Sequence, residues 1–95
     1  MTIENKIHIK VKAEGLLKAL SSDRFELKNR SSVLDCMNLI LEKASQELRK
    51  LIFDQETNKV NSAIGIFVNG SLVERMESEL KDGDELAIFI VVAGG

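Results

Sequence analysis

Hydrophobic and polar residues alternate without a break from Lys6 to Ala13. Ile7, Ile9, Val11 and Ala13 fall on one face and Lys6, His8, Lys10 and Lys12 on the other, the pattern of a strand with one buried and one wet side. Glu14-Gly15 breaks the alternation. Leu16 to Leu20 reads as a short apolar connector, and Ser21-Ser22-Asp23 has the chemistry of a turn. Arg24 to Lys28 alternates again, with Phe25 and Leu27 as the apolar pair. The period then changes. Ser32 suits a helix N-cap, and Asp35, three residues later, suits the positive end of a helix. Val33, Met37, Ile40, Leu41, Ala44, Leu48 and Leu51 follow mostly at spacings of three and four, which predicts one amphipathic helix ending near Ile52. Asp54 to Ser62 is polar and reads as a connector.

The pattern returns to strands after Ser62. Ala63 to Val68 is a strand, Asn69-Gly70 is a strong hairpin signal, and Leu72 to Arg75 is the returning strand. Met76 to Lys81 crosses back, Asp82-Gly83-Asp84 turns, and Glu85 to Val92 forms the last and most apolar strand. The order strand, strand, helix, strand, strand, strand predicts an α+β fold. Its mixed sheet has about five strands, with one main helix packed on one face. The first and last strands lie parallel at the sheet centre. This is the β-grasp arrangement, expected to span residues 1–95 as a single domain with a flexible C-terminal Gly-Gly tail at 93–95.

Composition narrows the classes of function. The 95 residues suit one domain. The net charge of −2 argues against nucleic acid and is compatible with a partner whose docking surface is basic. A single cysteine, Cys36, excludes an internal disulfide and a zinc site of several thiolates. The N-terminus lacks the apolar core of a signal peptide. The run Leu86 to Ala93 is too short to span a bilayer. The chain is therefore expected to be cytoplasmic, with no membrane partner.

Candidate chemistry inside the domain is sparse. His8 lies among lysines on the wet face of the first strand, with no nucleophile or carboxylate placed beside it by a local motif, and reads as a surface histidine. Cys36 stands in the first helical turn, where a helix N-terminus activates a thiolate. It also follows Asp35, whose charge opposes ionisation, and it reads as a small core residue. Glu74, Glu77, Glu79, Asp82, Asp84 and Glu85 read as a solvated acidic rim, without the spacing of a calcium loop. No metal site, bound cofactor or autonomous active site is expected.

The tail is different. Two glycines without Cβ atoms can thread a narrow channel in conformations closed to other residues. They place the Gly95 carboxylate at the end of a thin arm, and Gly94 gives it clearance. A carboxylate becomes reactive once adenylated at another protein's ATP site, after which sulfide or an amine can attack it. A frayed and meaningless end is the plainer reading. Against it, the glycines follow a central strand with only Ala93 between.

The stretch Leu80-Lys81-Asp82-Gly83-Asp84-Glu85-Leu86-Ala87-Ile88-Phe89, with Val92-Ala93-Gly94-Gly95, resembles the C-terminal signature of the MoaD/ThiS sulfur-carrier family, whose members are ubiquitin-like. Phe67-Val68-Asn69-Gly70 with Leu72-Val73 resembles the hairpin of that family. The similarity is closer to the MoaD branch, the small subunits of molybdopterin synthase. It implies that a MoeB/ThiF-like enzyme adenylates Gly95 with ATP, that a thiocarboxylate forms, and that a molybdopterin synthase large subunit-like protein receives the tail. MoaD-type tails commonly carry prolines where this chain has Ile90-Val91, which leaves the branch open. Such prolines would end strand pairing, so Ile90-Val91 is expected to let the strand run closer to the tail.

Alternation places a docking surface. If Leu86, Ile88 and Ile90 face the helix, Phe89 and Val91 face away from it, and Phe67 joins them. Leu72 corresponds to a position through which the family contacts partners. The expected partner-binding set is thus Phe89, Phe67, Leu72 and Val91. Two rivals remain: a modifier conjugated through Gly95 to lysines (or a carrier for thiamine or tRNA thiolation), and a non-catalytic β-grasp interaction module.

Overall fold

The computed structural model describes residues 5–54, 56–57 and 59–91. Strand β1 (Lys6–Ala13) leads through a 3₁₀ helix (Gly15–Leu20) to β2 (Ser22–Lys28). Two helices follow, α1 (Val33–Glu42) and α2 (Gln46–Ile52). Strands β3 (Phe53–Asp54) and β4 (Lys59–Val60) form a small separate hairpin. Strands β5 (Ile64–Val68), β6 (Ser71–Leu72) and β7 (Glu85–Ile90) complete the main sheet. Its five strands run in the order β2-β1-β7-β5-β6, with β1 and β7 parallel and the other pairs antiparallel. The predicted arrangement is therefore present, with the first and last strands side by side at the centre. The domain extent of 1–95 and the Gly-Gly tail reach beyond the described residues.

The alternation of β1 is realised residue by residue. Ile7, Ile9, Val11 and Ala13 are buried, while Lys6, Lys10 and Lys12 are exposed. On the covered face of the sheet they meet Leu27, Ile66, Leu86 and Ile88, together with Val33, Cys36, Met37, Ile40 and Leu41 from α1. Full burial of a side chain of this size is worth about 1.5–3 kcal/mol, so this cluster carries most of the fold's stability.

The helical region departs from the expected single helix. It breaks at Lys43, and Ser45 caps a second helix by accepting the Leu48 N–H at 3.2 Å. Arg49 from α2 turns back and donates to the Leu41 and Glu42 carbonyls at 2.7 and 2.8 Å, adding a side-chain donor to the carbonyls at the end of α1, of which Leu41 also accepts the Ala44 N–H. The change of direction resets the phase. Ile52 is buried, while Leu51, expected on the apolar stripe, is exposed. The start of α1 follows the expectation, with Ser32 and Asp35 forming a reciprocal capping box. The Val33 and Leu34 N–H groups donate to the Ser78 and Met76 carbonyls, which ties the crossing segment over the helix start.

Two smaller differences have physical causes. The connector expected over Asp54 to Ser62 contains the β3–β4 hairpin, because Phe53 and Val60 are apolar enough to pair over the helix end. The returning strand shrinks to Ser71–Leu72, and the Val73 N–H makes the last ladder bond, to the Ile66 carbonyl.

Candidate functional site: the open sheet face and the end of β7

The turn before β7 sets the strand in place. Gly83 has φ +89°, a left-handed conformation that a side chain would strain. Its N–H donates to the His8 carbonyl at 2.8 Å, and the His8 N–H donates to Asp82 Oδ1 at 2.8 Å. Asp84 accepts the Lys81 N–H at 2.8 Å and the Asn69 side-chain amide at 2.9 Å. Asn69, at φ +52°, accepts the Glu85 N–H at 2.9 Å through its side chain. The two aspartates expected on a solvated rim are thus acceptors for backbone and side-chain donors from β1 and from the β5–β6 hairpin.

Phase follows from this anchoring. Leu86 and Ile88 are fully buried on the helix side. Ala87 and Phe89 are half-buried on the other face, as expected. Ile90 departs from the expectation that it anchors the core, at 39% exposed. Pairing with β1 ends at Ala13 opposite Ile88, so at Ile90 the strand is flanked on one side only, by Ile64 of β5.

The open face brings the sequence-predicted docking residues together. Phe67 pairs with Ala87 in β7 and with Leu72 across the hairpin, and Phe89 pairs with Gly65. Residues directly opposite in a ladder share a face, so Phe67, Leu72, Ala87 and Phe89 lie on one surface. The Phe67 and Phe89 ring centroids are 6.0 Å apart, with planes inclined at 58°, within the range of favourable tilted aromatic pairs. Leu72 is 59% exposed and Val91 48%. Lys12, Gly70 and Glu85 rim a shallow depression whose floor is Phe67, Ala87 and Phe89. The Val91 N–H donates to the Ala63 carbonyl at 2.6 Å, so backbone pairing runs one residue past β7. A proline at 91 would lack that donor. Gly94 and Gly95, the expected clearance residue and reactive end, lie outside the described residues.

Sequence reasoning passed over Gly65. A Cβ built there would stand 2.8 Å from Val91 Cγ2 and 3.0 Å from Phe67 Cε1. The available signal was a lone glycine inside a strand pattern, which marks close approach of another group.

The rest of the described chain offers little chemistry. Cys36 is fully buried, and burial pushes its thiol up to about 12, so it is a protonated core residue. His8 Nε2 lies 3.4 Å from Glu26 Oε1 on the wet face. Lys6 donates to Glu26 at 3.2 Å and, with a smaller share from His8, holds that carboxyl below its usual range. Among the described residues no group of three or more His, Cys, Asp or Glu converges on a possible metal position. No helix among them is long and apolar enough to cross a membrane.

Comparison with known proteins adds identity of fold and family. The family model described as the ThiS family matches residues 10–95. No curated protein matches the chain. Among solved structures, the small archaeal modifier protein 1 of Methanosarcina acetivorans is 27% identical, with TM-score 0.72, over 96% of this chain and 99% of that one. The SAMP1 protein of Haloferax volcanii is 22% identical, with TM-score 0.76, over 93% and 99%; at that identity the likeness concerns the fold. A putative molybdopterin converting factor subunit 1 from Pyrococcus furiosus is 26% identical, with TM-score 0.66, over 90% and 99%.

Proposed function

The chain belongs to the ThiS family, and from that premise we propose that it is a ubiquitin-like sulfur carrier working through the carboxylate of Gly95. An ATP-dependent partner of the MoeB/ThiF type binds the open sheet face and takes the tail into its active site. A Gly95 carboxylate oxygen attacks the α-phosphorus of ATP, pyrophosphate leaves, and an acyl-adenylate forms. A sulfur nucleophile at the level of hydrosulfide then attacks the carbonyl carbon and displaces AMP, leaving a thiocarboxylate. The chain donates this sulfur in molybdopterin synthesis, to a pterin precursor held by a large subunit-like protein. Cytoplasmic ATP supplies the activation, and this chain binds no cofactor of its own.

The observation that carries the reading is the position of the apolar patch. Phe67, Phe89, Leu72 and Val91 stand on the uncovered face, beside the residues from which the tail follows. A partner gripping that patch holds the scaffold by the face that carries Val91, four positions before Gly95 in the chain. In a chain with only four aromatics, two on an open face mark binding more than packing.

A second reading has its own support. The likeness to the Methanosarcina modifier protein covers more of the chain than the likeness to the molybdopterin converting factor subunit. In that reading the acyl-adenylate is finally attacked by a lysine amine of another protein. Intact mass spectrometry of the chain isolated from its native host separates the two. The carrier is expected to show a species in which sulfur replaces one oxygen at the C-terminus. Isopeptide-linked conjugates instead identify the modifier, and a tail unmodified in every growth condition overturns both.

A further inference from the structure

Glycine is a poor choice within β5. It gives the sheet no side chain to pack and leaves the unfolded chain more freedom. Backbone conformation does not demand it at 65, for the positive-φ glycines among the described residues are Gly15, Gly70 and Gly83. At those three a Cβ would meet nothing within 4 Å. Gly65 is the reverse case, with an ordinary backbone and no room. The obstructing atoms are Val91 Cγ2 at 2.8 Å and Phe67 Cε1 at 3.0 Å. Gly65 faces Phe89 across the ladder, and Phe67 and Val91 close over it from either side. The same Val91 is held through its backbone by the Ala63 carbonyl at 2.6 Å. A side-chain seat and a backbone bond therefore fix a single residue, the last described one before the tail.

We propose that Gly65 is a positioning residue for the tail: its missing side chain opens a notch in the open sheet face, Val91 seats in that notch, and the seat sets where the rigid sheet ends and the reactive arm begins. The inference rests on the tail being the working end. Residue 91 is four positions from Gly95, so the seat fixes the point of the sheet from which the reacting carboxylate is carried. Misplacement by about 1 Å is enough to cost on the order of 100-fold in rate when a reaction depends on alignment.

The test uses the full chain with Gly65→Ala, read in two ways. Amide hydrogen exchange followed by NMR reports whether Val91 is still held. ATP–pyrophosphate exchange with the adenylating enzyme of the same source reports the chemistry. The expected result is faster exchange of the Val91 amide by about tenfold or more. The kcat of activation is expected to fall by about tenfold or more with a smaller change in KM, since both rings of the docking pair are kept and only the Phe67 edge, 3.0 Å from the added Cβ, has to give. Adding Val91→Ala to Gly65→Ala removes the colliding methyl and is expected to return the residue-91 amide toward wild-type protection. Val91→Gly empties the notch from the other side, and is expected to give the same fast exchange and low kcat even if Gly65→Ala does not fold. Unchanged exchange at Val91 in Gly65→Ala overturns the inference, and so does fast exchange with an unchanged kcat. If wild-type protein is not activated in the presence of ATP, the reading of the tail falls. The seat of Val91 on Gly65 then stands or falls on the exchange rates alone.

Discussion

Phe89 shows how a single residue combines structure and proposed function. Its neighbours Leu86 and Ile88 are fully buried, so pairing and core packing fix the strand whatever Phe89 does. The Phe89 ring instead tilts against Phe67 on the open face, 6.0 Å away. Phe89→Asp is expected to weaken binding of the adenylating partner by about 2 kcal/mol or more, the loss of a central aromatic anchor. Titration calorimetry measures that loss, and circular dichroism is expected to show the melting transition of the wild type. Unchanged affinity removes Phe89 from the interface; an unfolded variant means the ring is needed by the core. Alternation made this phase legible, because the pleat assigns every second residue to one face as long as the strand is covered. The same rule failed at Ile90, two residues past Ile88. The rule reports which face a residue occupies, whereas burial also requires neighbours, and β1 stops beside β7 at Ala13. Gly65 shows the opposite limit: its role is set by Val91, distant in sequence, and no local pattern contains that contact.

At the scale of elements, caps and turns decided where periodicity could not. The apolar spacing from Val33 to Leu51 runs smoothly through the break at Lys43, because Ala44 and Leu48 keep the interval while the backbone changes direction. The break was written in Ser45, a second N-cap, followed by acidic Glu47 in the first turn and basic Arg49 and Lys50 in the last. The turn at Asp82-Gly83-Asp84 was legible as a turn, but its hydrogen bonds to β1 and to Asn69 join segments far apart in the chain. Composition alone therefore made its carboxylates look like any other acidic surface. Asp84→Ala tests the distinction. It removes a carboxylate that accepts two hydrogen bonds and leaves the Lys81 and Asn69 donors to solvent. A half-exposed site of this kind is expected to lose about 1–2 kcal/mol, with the midpoint of denaturant unfolding lowered and the slope unchanged. Glu77→Ala, an exposed acid with no side-chain hydrogen bond among the described residues, is expected to stay within about 0.5 kcal/mol of wild type. Equal effects for the two would return Asp84 to the acidic rim.

For the whole molecule, net charge says little about any one face. The overall −2 is compatible with a basic partner, while the open face of β1 displays Lys6, Lys10 and Lys12, with only Lys6 paired to a carboxylate among the described residues. Charge is distributed by strand phase, so a slightly acidic chain presents a basic strip next to its aromatic patch. This arrangement separates holding from reacting. The core cluster lies entirely between Ile7 and Ile88, and the candidate docking residues end at Val91. The proposed reactive carboxylate comes after both. Deleting Gly95 is accordingly expected to leave the unfolding midpoint within error of wild type and to preserve most of the affinity for the adenylating partner. ATP–pyrophosphate exchange is expected to drop to background, because the carboxylate is then one residue short of the site built for it. Three measurements on one variant thus test the division of labour. A lowered midpoint would make the tail part of the fold, and a large loss of affinity would move the docking energy from Phe67 and Phe89 to the tail. Retained exchange would show that the enzyme adenylates a carboxylate at Gly94 as well and does not read the length of the tail, whereas exchange at background in the wild type too would leave the inert interaction module as the better account of this sheet face.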